Sequence, residues 1–139
     1  MKMSKSDVTF KQRYLGIMFL VIVQLIVGLI HIVFGLALIS GIFSFSTHLT
    51  TIIYSLYTLV YGFLTVFFTY LVWKGKRLGW IGTVAISVFV IIVDSLAVFD
   101  LSNILGIPAP KFAAMGEIPF SILVLAYLLQ YHVRSKYNI

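Results

Sequence analysis

Two ionisable side chains, His31 and Asp94, lie inside long apolar stretches of this 139-residue sequence. Ionisable residues within membrane-spanning segments are rare and mark functional sites by default. His31 follows Leu15, where its apolar run begins, by the same number of residues as Asp94 follows Leu78. At a rise of 1.5 Å per residue, both lie about 24 Å along their helices. The spacing therefore predicts an intramembrane polar pair, His31 and Asp94, at a common depth.

Two functions fit such a pair. His titrates near neutral pH, so a proton-responsive or ligand-binding pair is one interpretation. The other is a polar clasp between two helices, which contributes about 0.6–2 kcal/mol in membranes. The clasp is the interpretation that the sequence favours.

A second group of polar side chains falls between or at the ends of the apolar runs. Its members are His48, Asp100, Lys111 and Glu117, which we predict to form a polar cluster on the outer face. A histidine with two carboxylates is a possible ligand set for a divalent metal. These residues lack paired ligand spacing, however, so we predict solvated loop residues and no metal site.

The sequence contains no recognised catalytic motif. It has no G-x-S-x-G elbow, no P-loop, no dinucleotide fingerprint and no HExxH. It also has no cysteine, which excludes disulfides and thiol catalysis. We predict no catalytic residue and no cofactor, and therefore a protein that is not an enzyme.

Four apolar runs carry these residues, and they predict an all-α membrane protein with a compact four-helix bundle. Each run approaches or exceeds the roughly 20 apolar residues that cross a bilayer. If the four runs cross the membrane in alternating directions, nine of the ten Lys and Arg residues lie on one side of it and Lys111 alone lies on the other. Because Lys and Arg prefer the cytoplasmic side, both termini are predicted to be cytoplasmic in the cell membrane. The predicted spans of the single domain, 1–139, are residues 15–43, 49–73, 78–101 and 112–133.

The net charge of +6 has the same explanation. Positive charge on the cytoplasmic side orients the spans and attracts anionic lipid headgroups. The expected partners are therefore the lipid bilayer and other membrane subunits or further copies of the chain, and not nucleic acid.

Small residues recur every four positions near the third span. Gly75, Gly79, Thr83 and Ser87 form a face that permits close helix packing. The second span carries an aromatic stripe of Tyr54, Tyr57, Tyr61 and Phe68. The stripe is predicted to pack between helices rather than to line a polar path.

Three segments together resemble a broad group of uncharacterised small archaeal membrane proteins with four helices. They are the opening RYLGIMFLVIVQLIVGLIHIVFGLALI, the hairpin WKGKRLGW at Trp73–Trp80, and the closing LAYLLQYHVRSKY. The resemblance implies a four-helix bundle and an archaeal origin, and it brings no established activity. His31, Asp94 and the GIPAPKF loop depart from the general pattern.

Three functions follow as expectations. The first is a non-enzymatic accessory or structural subunit of a larger membrane complex, of the respiratory or membrane-monooxygenase type. The second is a small oligomeric transporter or channel that uses the His31/Asp94 pair. The third is a lipid- or quinone-directed membrane enzyme acting through His48, Asp100 and Glu117.

Overall fold

The computed structural model describes residues 5–45, 49–99 and 111–139, with side chains over 15–41, 52–99 and 111–139. Regular structure in these ranges is entirely helical. The elements are α1 (Lys5–Phe45), α2 (Leu49–Trp73), α3 (Arg77–Val98), α4 (Lys111–Leu128), α5 (Tyr131–Arg134) and a 3₁₀ helix (Ser135–Tyr137).

Four of these helices are long and apolar enough to cross a membrane, as expected of a multi-pass membrane protein. The spans are Leu15–Gly41, Ile52–Trp73, Arg77–Val98 and Lys111–Leu128. The last is shorter than its predicted range, because the chain leaves the helix at Gln130, whose φ is −61° and ψ 137°. A separate short helix, α5, follows.

The predicted fourth span, residues 112–133, contains a proline at position 119. In the structure α4 begins at Lys111 and continues through Pro119. Glu117 therefore lies inside the helix rather than at its first turn.

A short turn joins α2 and α3 into a tight hairpin. The Lys76 N–H donates to the Leu71 carbonyl and the Gly75 N–H donates to the Val72 carbonyl. With Gly75 at φ +67°, this is a Schellman motif, which glycine closes without steric cost. We call this side of the bundle the hairpin end, and the side where α1 ends and α4 begins the loop end.

Gly75 is consequently not part of the α3 packing face, contrary to the sequence prediction. It precedes α3, and an added Cβ would have no neighbour within 4 Å. Gly79 does lie at a helix contact, where a Cβ would overlap the backbone of Leu71 and Val72 on α2. Thr83 and Ser87 are buried further along α3.

α1 crosses α2 at two glycines. A Cβ on Gly62 would lie 2.8 Å from the Gly28 carbonyl oxygen, and one on Gly28 would lie 3.2 Å from the Gly62 carbonyl oxygen. Only glycine permits such close backbone approach. The crossing places His31, one turn beyond Gly28, against Tyr61.

An apolar core closes the hairpin end. The C-terminal segment folds back so that Val133 and Tyr137 are each 1% exposed. The Tyr137 hydroxyl donates to the Val72 carbonyl at 3.1 Å, and the Trp80 indole N–H donates to the Leu128 carbonyl at 2.9 Å. The buried members of this core are Ile17, Leu20, Val21, Val72, Val124, Leu128, Val133 and Tyr137.

The rest of the interior contains many polar side chains beside a few buried apolar ones, such as Val90 and Ala97, while many large apolar side chains face outward. Several of the buried oxygens have no hydrogen-bond partner among the described residues, including those of Thr69 and Thr83. Polar groups inside a membrane helix bundle are costly unless they are satisfied. The buried polar residues of the interior are therefore the candidates for a functional role. Its buried polar residues are Gln24, Ser55, Thr58, Thr65, Thr69, Thr83, Ser87, Asp94 and Ser121.

Candidate functional site

His31 joins α1 to α4 near the loop end. Its Nδ1 lies 2.8 Å from the Val27 carbonyl oxygen, and its Nε2 lies 3.2 Å from Oε1 of Glu117. The His31 side chain is 17% exposed and that of Glu117 is 25% exposed. Both groups are thus held mostly away from lipid and solvent.

The Val27 carbonyl fixes where one proton of the imidazole lies. A carbonyl can only accept, so Nδ1 must carry a hydrogen and donate it. A hydrogen bond between Nε2 and the Glu117 carboxyl then requires a second proton between them. That proton lies either on Nε2, giving a charged pair, or on the carboxyl, giving a neutral pair. The His31–Glu117 contact is therefore a proton-binding arrangement in either form.

Asp94 lines the same space from α3. Its side chain is only 4% exposed, and its Oδ2 has no hydrogen-bond partner among the described residues. The shared cavity measures about 20 Å³, and α2 and α4 complete its wall. A cavity needs roughly 10–15 Å³ to hold one water molecule, so this space accommodates one water-sized species. We call this space the loop-end cavity; its lining residues are His31, Tyr54, Tyr57, Thr58, Asp94, Ala113, Ala114 and Glu117.

The aromatic stripe of α2 forms one side of this site. The Tyr61 ring lies edge-on to His31 with ring centroids 4.7 Å apart. Tyr57 stacks on Tyr61 at 6.4 Å with an interplanar angle of 9°. The Tyr57 hydroxyl is buried without a hydrogen-bond partner among the described residues and belongs to the cavity wall. The stripe therefore packs between helices, as predicted, but it also presents hydroxyls to the polar site.

The structure arranges the predicted polar residues differently from the sequence-based grouping. His31 and Asp94 do share one cavity, but the hydrogen-bond partner of His31 is Glu117. Glu117 consequently belongs to the interior rather than to an outer-face cluster. Lys111, predicted to lie beside it, is exposed at the start of α4.

The other two members of the predicted outer-face cluster, His48 and Asp100, lie outside the described residues. Over the ranges that are described, no three His, Cys, Asp or Glu side chains are arranged to hold a metal ion.

Sequence reasoning missed the inward position of Glu117 because it assigned this residue to the outer face, although the predicted span 112–133 contains it. A signal was present in the spacing. Ala114, Ser121, Val124 and Leu128 recur at helical intervals and are the buried face of α4. Glu117 falls one turn after Ala114 and one turn before Ser121, so it shares that face.

The comparisons with known proteins add no further constraint. No protein-family model, no curated protein and no solved structure matches this chain.

Proposed function

We propose that the protein is a non-enzymatic membrane transport protein that takes up and releases protons at His31, Glu117 and Asp94. The observation that carries the proposal is the buried carboxyl of Asp94, which has an oxygen without a partner among the described residues and lies beside a pair that already shares a proton. In the proposed orientation, the hairpin end and both termini face the cytoplasm, which follows the distribution of Lys and Arg.

The charge balance of the cluster supports proton uptake. With its shared proton, the His31–Glu117 pair has no net charge in either form. An ionised Asp94 would then leave one uncompensated negative charge inside the bundle, which is costly in a membrane. Binding of one proton to Asp94, or a small cation nearby, removes that charge. Proton uptake by the cluster is therefore favoured, because it removes a buried negative charge.

The fold provides polar surroundings on one side of the cluster and a barrier on the other. Buried hydroxyl groups continue from the cluster toward the bundle centre, and the apolar core then closes the hairpin end. Transport across the bundle would require the C-terminal segment with Val133 and Tyr137 to move. The sequence-based expectation was an oligomeric transporter. The polar residues that could form a proton path, however, lie within a single bundle.

Proton flux into liposomes tests this function. Purified protein is reconstituted with an internal pH-sensitive dye, and a valinomycin-clamped potassium gradient drives proton entry. We expect flux in the wild type and its loss in Asp94→Asn, which keeps the shape but removes the ionisable group. Ser95→Ala is the matched control, because the Ser95 hydroxyl donates to the Ile91 carbonyl of its own helix. Absence of wild-type flux, or equal flux in Asp94→Asn, contradicts the proposal.

An accessory subunit of a larger respiratory or monooxygenase-type complex is the second candidate. One feature favours it, an apolar groove of about 460 Å³ between α1 and α4. Phe19 and Leu123 line this groove and are 70% and 69% exposed. Mass spectrometry of chains that co-purify in gentle detergent tests this candidate. Recovery of a single chain at every detergent concentration would count against it.

The enzyme alternative receives no support from the site. It requires His48, Asp100 and Glu117 to act together, and Glu117 instead contacts His31 inside the bundle.

A further inference from the structure

A second polar cavity lies between the four long helices, closer to the hairpin end than the loop-end cavity. We call it the middle cavity. All four helices contribute buried polar side chains, each between 3% and 5% exposed. These are Gln24 from α1, Thr65 from α2, Thr83 and Ser87 from α3, and Ser121 from α4.

Three of the residues that line this cavity carry an unsatisfied oxygen. Gln24 Oε1, Thr65 Oγ1 and Thr83 Oγ1 are buried and have no hydrogen-bond partner among the described residues. Buried polar atoms in folded proteins nearly always have a partner, whether protein, water or ion. Their convergence from three helices on one cavity indicates that a bound species supplies the missing contact.

The size of the middle cavity restricts that species. Its volume is about 10 Å³, close to the roughly 10–15 Å³ that one water molecule needs. An organic solute does not fit, and only a water molecule or a small ion does. The ring of Tyr61, which contacts His31 on one side, forms part of the cavity wall. The middle cavity is thus adjacent to the proposed proton site.

The polar side chains that line the cavity are suitable for binding a cation. The polar groups are amide and hydroxyl oxygens, which are suitable ligands for hard cations. No Lys, Arg or His side chain lines the cavity. Thr83, Ser87 and Asp94 follow one another at helical spacing on α3, so the uncompensated carboxyl lies on the same helix face.

We propose that the middle cavity binds one dehydrated monovalent cation of about the size of Na⁺. A divalent ion is disfavoured because divalent cations in proteins usually take carboxylate ligands directly, and no carboxylate lines this cavity. The inference goes beyond the proposed transport function by placing a cation site next to the proton site. Binding itself is measurable whether or not the protein transports anything.

Thermal unfolding in detergent provides the test. The midpoint is measured in NaCl, LiCl, KCl and choline chloride at one ionic strength, because a ligand that binds the folded state stabilises it. We expect NaCl to raise the midpoint of the wild type above its value in choline chloride. KCl should raise it less, because K⁺ forms longer bonds to oxygen than Na⁺ does and would require the lining side chains to move apart.

Two threonine variants distinguish cation binding in the middle cavity from a general effect of salt on the buried polar residues. Thr83→Val removes an oxygen of the cavity and preserves the side-chain shape, so the sodium-dependent rise should be lost. Thr69→Val is the matched control, because Thr69 is equally buried and its Oγ1 is also unpartnered, but it lies outside the cavity wall. It should keep the full sodium response.

Any one of three results would overturn the inference. They are a wild-type midpoint independent of the cation, an equal response to all three alkali ions, and an unchanged sodium response in Thr83→Val. The outcome is also distinct from that of the flux assay. Sodium binding without proton flux would leave this site in place and remove the proposed transport function.

Discussion

Replacing Gly79 with alanine should separate α2 from α3 and destabilise the bundle. The hairpin holds these helices together at a point where the Gly79 Cα faces the backbone of Leu71 and Val72. A Cβ built at Gly79 overlaps backbone atoms, which cannot rotate away as a side chain does. Ordinary carbon contacts need about 3.5–4.0 Å, so the helices must move apart to accommodate the methyl group.

The size of the effect follows from two opposing contributions. Overpacking of a close contact costs about 1–3 kcal/mol. Alanine in place of a helical glycine returns up to about 1 kcal/mol. Gly116→Ala supplies the matched control, because a Cβ there meets nothing within 4 Å and Gly116 also lies in a helix, α4. The propensity gain is common to both variants, so their stabilities should differ by the overpacking cost of about 1–3 kcal/mol.

Unfolding by sodium dodecyl sulfate in mixed micelles, followed by circular dichroism, measures this difference. Gly79→Ala should unfold at a lower detergent mole fraction than the wild type, and Gly116→Ala at an equal or higher one. If Gly79→Ala matches Gly116→Ala, the close approach of α2 and α3 at this residue is wrong.

Two further predictions concern the remaining contacts. A double-mutant cycle with His31→Asn and Glu117→Gln should give a coupling free energy of about 0.6–2 kcal/mol in the same unfolding assay, and additive effects would contradict the contact. Burial raises the pKa of Tyr137 to about 12, above the unfolded value of about 10. The stabilisation from its neutral hydroxyl should thus be complete below about pH 10 and lost as the pH rises through 12. Tyr137→Phe should show a smaller alkaline loss of unfolding free energy than the wild type, and an equal loss would contradict this assignment.

Length and apolar content predict the four helices, because a chain in lipid must satisfy its backbone within each helix. The common depth of His31 and Asp94 also follows from local sequence. The rotation of each helix about its own axis does not. Lipid tails and the bundle interior are similarly apolar, so little hydrophobic contrast marks the inward face of a span.

That missing contrast explains which parts of the site were not predicted. Thr65 and Thr69 lie one turn apart, yet hydroxyls are tolerated on either face of a membrane helix. Glu117 lies within the predicted fourth span, and its inward direction depends on the rotation of α4 about its axis. The fold-back that buries Tyr137 depends on contacts with residues more than 60 positions away in the chain, such as Val72. No local pattern encodes such contacts.

Infrared spectroscopy of the reconstituted protein tests the central claim most directly, since protonated and ionised carboxyl groups absorb at different frequencies. The spectrum is recorded while the pH is changed, for the wild type and for Asp94→Asn. A buried carboxyl band that appears on acidification in the wild type and is lost in Asp94→Asn is the predicted result. An identical pH response in the two proteins would show that Asp94 does not take up the proton, and would contradict the proposed function.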